Sequence, residues 1–493
     1  MSVTVNIVRA GVFLDSVVLM QISRELTTIQ GVEDAALMMA TPANLDILSD
    51  AGLLEEDTRA GSGDLLVAVR AQDRAIADST LQRAAELMER PAQQNSIPRE
   101  LRPLTLRSAC RQLPDANLAL ISVPGDFAGA EARKALRAGL NVMIFSDNVA
   151  LAEEISLKRE ARDLGLVVMG PDCGTAIIDG VPLAFANVVP RGDIAIVGAS
   201  GTGMQEVSCL IAHAGEGISH AIGVGGRDLT EAVGAISTLT VLDWLERDAA
   251  THHIVLISKP PAPSVVDQIT EFIRRSSKSY TVCLVGSDNL ALPDNAKLTT
   301  TLKGAAAVAV TNSKGLEALP AVQRAPVAGS YVRGLYSGGT LAAEAQVVFL
   351  SHGQPVLSNA PVPGAGLFTS ERANHIMIDL GDDRFTRGRP HPMIDPAVRD
   401  EPICAALSDP DVGVVLLDVV IGFGAHADPA GHLAGLLDRH GRSGSVVIAS
   451  VTGTDEDPQV RARQVSVLER AGVVVAPSNA DAAELALACL NVG

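Results

Sequence analysis

The chain has 493 residues, enough for three or four domains, and it is 47% hydrophobic and 19% charged, a globular balance. A net charge of −18 leaves no basic footprint for nucleic acid. No apolar run reaches the roughly 18 residues of a membrane span.

Residues 1 to about 92 read as one small unit. Strands are expected at Val3–Arg9, Val32–Met39 and Gly63–Val69, with helices at Val17–Thr28, Pro42–Ala51 and Ala75–Met88. This order suggests a ferredoxin-like domain. The N-terminus lacks a basic segment followed by an apolar core, so a cytoplasmic protein is expected. Pro91 to Pro103 is polar and proline-bearing and reads as a linker.

From residue 104 onward the pattern is strand, helix, strand. Continuous Val/Ile/Leu runs occur at Leu118–Val123, Val142–Phe145, Leu166–Met169, Ile194–Val197, Ala221–Val224, Ile254–Ile257 and Val282–Val285. Runs without alternation imply strands covered on both faces, hence parallel sheets in an α/β fold. A further block starts near Arg324, with strands at Ile376–Leu380, Val414–Leu417, Val446–Ala449 and Val473–Ala476. The expected domains are 1–92, 104–190, 191–323 and 324–493.

One phrase occurs twice. Ser200-Gly-Thr-Gly203 follows an apolar strand and leads into an amphipathic helical stretch. Ser337-Gly-Gly-Thr340 does the same in the second block. A glycine-rich turn that opens a helix leaves backbone N–H groups unpaired at the positive dipole end. That is a site for phosphate or carboxylate, and two such sites could face one anion. Either turn alone reads better as an ordinary helix cap, and it is the matched pair that favours an anion site. After each helix comes a glycine-bearing strand end, at Gly223–Gly226 and at Gly381, so the two blocks look like a divergent duplication. Carboxyl ends of parallel strands are where ligands gather. Gly225, Gly226 and Gly381 are therefore pocket candidates.

Other residues are weighed one by one. Lys259 ends an apolar strand and is either a surface residue or an anion ligand. Cys173 sits in a turn with no base beside it, which favours a structural thiol at the edge of the pocket. His426 and Asp428 share a glycine-rich loop after a strand, and His426 is a candidate acid or base there. The six cysteines are scattered without a CxxC pair, and His, Asp and Glu show no metal-ligand spacing, so no metal is expected. Gly223–Gly226 could pass for a dinucleotide fingerprint, but no acidic residue ends a following strand at the required distance, and NAD is rejected.

Gly170-Pro-Asp-Cys-Gly174, the Gly192–Thr202 segment and Gly223-Val-Gly-Gly-Arg-Asp228 resemble successive motifs of the succinyl-CoA synthetase alpha subunit. Ser337–Ala343, Ile378-Asp-Leu-Gly381 and Val414-Val-Leu-Leu-Asp418 resemble the carboxy-terminal domain of its beta subunit. With the small N-terminal domain and the Leu417–Pro429 phrase, the chain resembles the FdrA family, which includes a subunit of oxamate carbamoyltransferase in allantoin breakdown. The resemblance implies a truncated CoA-binding-like Rossmann domain followed by two flavodoxin-like domains. It departs from the synthetase pattern in two places. The stretch Val285–Leu292 lacks the relay histidine, and Ser258-Lys259-Pro260 replaces its supporting glutamate. There is also no ATP-grasp domain.

The expectation drawn from this is a carbamoyltransferase subunit. It would bind phosphate or carbamoyl phosphate between Ser200–Gly203 and Ser337–Thr340, converting oxalurate and phosphate to oxamate and carbamoyl phosphate. Partner subunits, self-association and a small anionic substrate are expected, without nucleic acid or membrane. One alternative is an acyl-CoA ligase subunit that binds CoA. Another is a non-catalytic anion-binding scaffold.

Overall fold

The computed structural model describes every residue except 1, 13, 15, 56, 90–102, 104, 288–289, 311–326, 328, 370–373, 387–389, 442–443 and 491–493. The linker read at Pro91 to Pro103 and the boundary between 323 and 324 therefore lie almost wholly outside the described residues. The chain divides into two compact units, one of residues 1–166 and 383–390, the other of residues 167–382 and 391–493.

The first unit opens with β1 (Val3–Arg9), α1 (Ser16–Thr27), β2 (Val32–Met39), α2 (Pro42–Asp50), β3 (Leu65–Ala71) and α3 (Arg74–Glu89). The strands form an antiparallel sheet in the order β1-β3-β2, the expected ferredoxin-like arrangement. One face buries Leu19, Leu26, Leu65, Val67 and Leu81. The other is closed by Leu48 of α2 and by Leu53, over Leu66 and Ala68. Thr41 starts α2 because its hydroxyl accepts the Asn44 N–H, and Pro42 follows with its φ already fixed. The unit continues with α4 (Leu106–Gln112), β4 (Leu118–Ile121), α5 (Gly125–Arg137), β5 (Asn141–Ile144), α6 (Leu151–Asp163) and the short α12 (Asp383–Thr386). β4 and β5 pair in parallel.

The second unit holds two seven-stranded sheets. The first contains β7 (Thr175–Ile178), β8 (Val181–Ala184), β9 (Arg191–Gly198), β10 (Ile218–Gly223), β11 (His253–Ser258), β12 (Ser279–Leu284) and β13 (Ala296–Thr299), after a short β6 (Val168–Met169). Its helices are α7 (Gly201–His213), α8 (Ile236–Arg247), α9 (Pro263–Arg275) and α10 (Leu302–Ala309). Its order is β13-β12-β11-β9-β10-β7-β8. The β7–β8 hairpin pairs antiparallel to β10, so it extends this sheet although its residues precede 190.

The second sheet contains β14 (Tyr331–Tyr336), β15 (Val356–Ser358), β16 (Gly366–Leu367), β17 (His375–Asp379), β18 (Val412–Val420), β19 (Val446–Thr452) and β20 (Val474–Ala476). Its helices are α11 (Gly339–Ser351), α13 (Asp400–Ser408), α14 (Pro429–His440), α15 (Arg461–Arg470) and α16 (Asn479–Leu490). The order is β16-β15-β17-β14-β18-β19-β20, and every described pairing is parallel.

In each sheet the chain leaves a central strand, builds outward on one side, then crosses to the other. β9 and β14 are those central strands, and α7 and α11 start at their carboxyl ends, where ligands collect in open α/β sheets. The sequence suggests that both helices are amphipathic. Instead Gly203 to Ile211 of α7 is buried without a break, and α11 is buried almost throughout. The reason is packing on all sides: α7, α10, α11 and α16 meet one another in the common core of this unit.

Candidate functional site

The two Ser-Gly turns open α7 and α11 as the sequence predicts, but they are capped differently. Ser200 is extended (φ −148°, ψ 116°), and its Oγ accepts the Gly203 N–H at 3.1 Å. Gly338, at the cap of α11, has no side chain to do this. Asp418, deep in β18, does it instead. Its Oδ1 accepts Ser337 N–H at 2.7 Å, and its Oδ2 accepts Ser337 Oγ–H at 2.8 Å and Gly338 N–H at 2.7 Å. Asp418 is 0% exposed, and Arg399 Nη1 meets its Oδ1 at 2.8 Å.

The two helix starts touch. Ser200 Oγ is hydrogen-bonded to Thr340 Oγ1. A Cβ on Gly338 would lie 3.0 Å from Thr202 Cβ, and one on Gly203 would lie 3.1 Å from Thr340 Cγ2. Helix geometry leaves the amides of Gly201, Thr202, Gly339, Thr340 and Leu341 without intrahelical partners. Two positive dipole ends brought together repel each other, and an anion near both relieves that repulsion.

Around the α7 start stand Thr175, Cys173 and the Gly223–Gly226 turn. A Cβ on Gly201 would lie 3.0 Å from Thr175 Oγ1. Gly225 has φ +86°, and a Cβ there would press on the Pro171 carbonyl, whereas one on Gly226 meets open space. The buried Cys173 thiol donates to the Gly223 carbonyl at 3.3 Å and the Thr175 carbonyl at 3.5 Å, which makes it a tie between strand ends. These contacts are those of a structural thiol.

Around the α11 start stand Asp379 and His391, which the sequence reading did not single out. A Cβ on Gly339 would collide with the Asp379 carboxylate. Burial pushes that carboxyl up to about 6, with further upward pushes from Asp382 and Asp418, although Gly381 N–H donates to its Oδ1 at 2.9 Å. Lys259 is exposed at the end of β11, and its charge reaches Asp379 and pulls the other way. Desolvation pushes the partly buried His391 ring down to about 4, so it is neutral at physiological pH. Its Nδ1 accepts Met393 N–H at 3.2 Å, which leaves Nε2 as the N–H donor. That nitrogen lies 2.6 Å from where a Gly381 Cβ would be.

His426 and Asp428 lie elsewhere in the second sheet's loops. Asp428 caps α14 by accepting Gly431 N–H at 3.2 Å, and it accepts Gln464 Nε2 at 3.1 Å. His426 Nδ1 accepts the Asp428 N–H at 3.1 Å, and its backbone N–H donates to Met393 at 2.8 Å. These described hydrogen bonds shape a loop and a helix cap.

Three regions of the chain match known protein families. Residues 190–286 match the CoA binding domain model, residues 335–489 the CoA-ligase model, and residues 1–102 the model of the AllF heavy metal-associated domain. The chain is 40% identical to the Escherichia coli (strain K12) "Uncharacterized protein YahF" over 97% of both chains. It is 26% identical to the alpha 1 subunit of succinate–CoA ligase [ADP-forming] from Archaeoglobus fulgidus, over 35% of this chain and 59% of that subunit. Among solved structures, the dinucleotide forming acetyl-coenzyme A synthetase 1 of Ca. Korarchaeum cryptofilum matches 76% of this chain and 82% of its own, at 16% identity and a TM-score of 0.32.

These matches overturn the carbamoyltransferase expectation. They run to CoA-ligase and CoA-binding domains and to succinate–CoA ligase subunits, and none points to carbamoyl transfer. The expectation arose from reading the missing relay histidine as a change of reaction. A lost side chain removes one step of a ligase without specifying another chemistry.

The heavy metal named for the N-terminal domain does not fit this chain. Residues 1–102 contain neither Cys nor His, the thiolate and imidazole donors that hold most such metals. In the loop between β1 and α1, Val12 and Leu14 pack against the domain core. Among the described residues no group of three His, Cys, Asp or Glu could hold a metal ion. A chelator-competition titration with zinc should therefore return no tight site. Among the described residues no helix is long and apolar enough to cross a membrane.

Proposed function

Since the chain belongs to the family of the Escherichia coli protein YahF, built from succinyl-CoA synthetase-like parts, we propose that it is an acyl-CoA ligase-type subunit acting on a CoA thioester. The anion of that reaction would sit at the paired starts of α7 and α11. The observation that carries this reading is the contact between the two starts, where Ser200 bonds Thr340 and two sets of free amides converge.

The exchange this arrangement suits is acyl-CoA plus phosphate giving acyl phosphate plus CoA. A phosphate oxygen attacks the thioester carbonyl carbon, the C–O bond forms as the C–S bond breaks, and the thiolate leaves and takes up a proton. The helix-start amides of Gly201, Thr202, Gly339 and Thr340 would hold the phosphoryl oxygens and the charge that moves among them. Asp379, poised near 6 beside Gly339, would accept the proton of hydrogen phosphate. Lys259 would hold a ligand oxygen at the rim. No side-chain nucleophile is needed.

The finer placement as an FdrA-type protein belongs to the same proposal, supported by the small N-terminal domain and the fused synthetase-like halves. Partner subunits would supply an ATP-grasp domain. The test is release of free CoA thiol from succinyl-CoA or acetyl-CoA on adding phosphate, followed with a thiol reagent. Phosphate-dependent release supports the reading. No release from either thioester, together with no phosphate-induced rise in the unfolding temperature, would end it.

A further inference from the structure

The sixth residue after each cap of the doubled motif carries a second duplication. Glu206 lies six residues after the cap of α7, and Glu344 six residues after the cap of α11. Both are buried in the common core, at 3% and 0% exposure. Each one caps a helix from the opposite half. Glu206 Oε1 accepts the N–H of Asn479, which opens α16, at 3.0 Å. Glu344 Oε1 accepts the N–H groups of Leu302 and Lys303, which open α10, at 2.6 and 3.1 Å. Asn479 joins the two, because its Nδ2 donates to Glu344 Oε2 at 2.8 Å and to the Leu341 carbonyl at 2.9 Å. Thr452 Oγ1 bonds Glu206 Oε2.

We propose that Glu206 and Glu344 hold one proton between them and form a proton-dependent clamp across the two halves of the second unit, setting how closely the starts of α7 and α11 approach. With the proton in place, each carboxyl still caps its helix and the pair carries a single negative charge. Without it, two carboxylates face a common asparagine in a dry core, and the two helices that bear them are pushed apart.

The surroundings supply little compensating charge. Arg461 of α15 reaches Glu206, but Asp481 of α16 opposes it. Lys303 of α10 donates its backbone N–H to Glu344, but its Nζ is taken by Asp481 Oδ1 at 2.6 Å. Among the described residues, Tyr336 of β14, Cys283 of β12 and Cys209 of α7 are further titratable neighbours, all held neutral by burial. Asn479 Oδ1 is buried with no partner, which leaves an acceptor within the cluster. Burial and then the Glu206 charge push Glu344 up to about 7, and burial pushes Glu206 up as well. The two titrate as a pair.

The sign follows. A carboxyl whose folded value lies above its unfolded one binds more protons when folded. Its stabilising effect is complete below the ordinary glutamate range and is lost as pH rises through about 7. A bound anion at the helix starts adds negative charge and should draw the proton in more tightly. This last point alone rests on the anion reading above.

The experiment follows the unfolding midpoint of the full chain between about pH 5 and pH 8, in wild type, Glu344→Gln and Glu206→Gln. The wild-type midpoint is expected to fall across neutrality, and the fall should shrink in both variants. An unchanged pH slope in both variants would overturn the clamp. Should either variant fail to fold, infrared difference spectra of the wild type decide the matter. A protonated carboxyl carbonyl band that bleaches as pH crosses 7 supports the proposal, and its absence at low pH overturns it. Neither measurement uses phosphate, so a failed clamp and a failed anion site are distinguishable. If the clamp holds, phosphate stabilisation that weakens from pH 6 to pH 8 in wild type only would join the two.

Discussion

Asp418→Asn should lower the free energy of unfolding by about 3–5 kcal/mol, read as a fall in the urea midpoint at unchanged slope. Asp418 is 0% exposed and makes three hydrogen bonds to the turn that opens α11. Its charge also balances Arg399, which is 5% exposed and donates through Nη1 to the Asp418 carboxylate and to the Leu335 and Asp418 carbonyls. An asparagine keeps the shape but leaves the guanidinium as an uncompensated buried charge. It also points an amide at donors that need an acceptor. The partner variant Arg399→Met should be costly alone, because it leaves the carboxylate with less charge to balance it. The double variant should recover part of the loss, since removing both charges of a buried pair costs less than removing one. A double-mutant cycle in urea measures that coupling. Additive losses would show that the pair is not a unit.

Gly203→Val should abolish phosphate-induced stabilisation, with an affinity loss of more than about tenfold, or 1.4 kcal/mol. The new Cβ would lie 2.9 Å from Ser200 Oγ and 3.1 Å from Thr340 Cγ2, so it strikes the cap of its own helix and the first turn of the other. Valine adds two methyl groups beyond that Cβ. The cheapest relief is to move α7 away from α11, which separates the two sets of amides. Overpacking of this kind costs about 1–3 kcal/mol of stability, so the variant should fold and its binding can be measured. Unchanged phosphate stabilisation in a folded Gly203→Val would show that the paired helix starts do not hold the anion.

Much of the architecture is legible in the sequence. The apolar runs at Ile194–Val197 and Ile254–Ile257 become β9 and β11, because short runs rich in β-branched Val and Ile suit strands covered on both faces. The SGTG and SGGT phrases open helices where small residues and a serine cap require it. The site was legible in part. Lys259 and Gly381 come to the α11 start, and Thr202 and Thr340 face each other as a doubled motif suggests. Asp379, His391, Asp418 and Arg399 were missed, although Asp418 carried a signal. It is the one charged residue in the nine-residue apolar strand Val412–Val420, where a carboxylate must have a buried partner. Glu206 and Glu344 gave the same signal, each the one acidic residue of a mostly apolar helix.

The sequence by itself determined the strands and helices, the doubled serine-glycine turn and the synthetase-like order of parts, because those depend on local periodicity and on what small residues allow the backbone to do. Only the tertiary structure decided that the two turns meet, that α7 and α11 are buried on every side, and that each half lends a glutamate to cap the other. Those facts depend on residues 135 and 273 positions apart being brought within hydrogen-bond distance. Such a pairing is fixed by how two sheets pack around four shared helices, and no window of local sequence contains it.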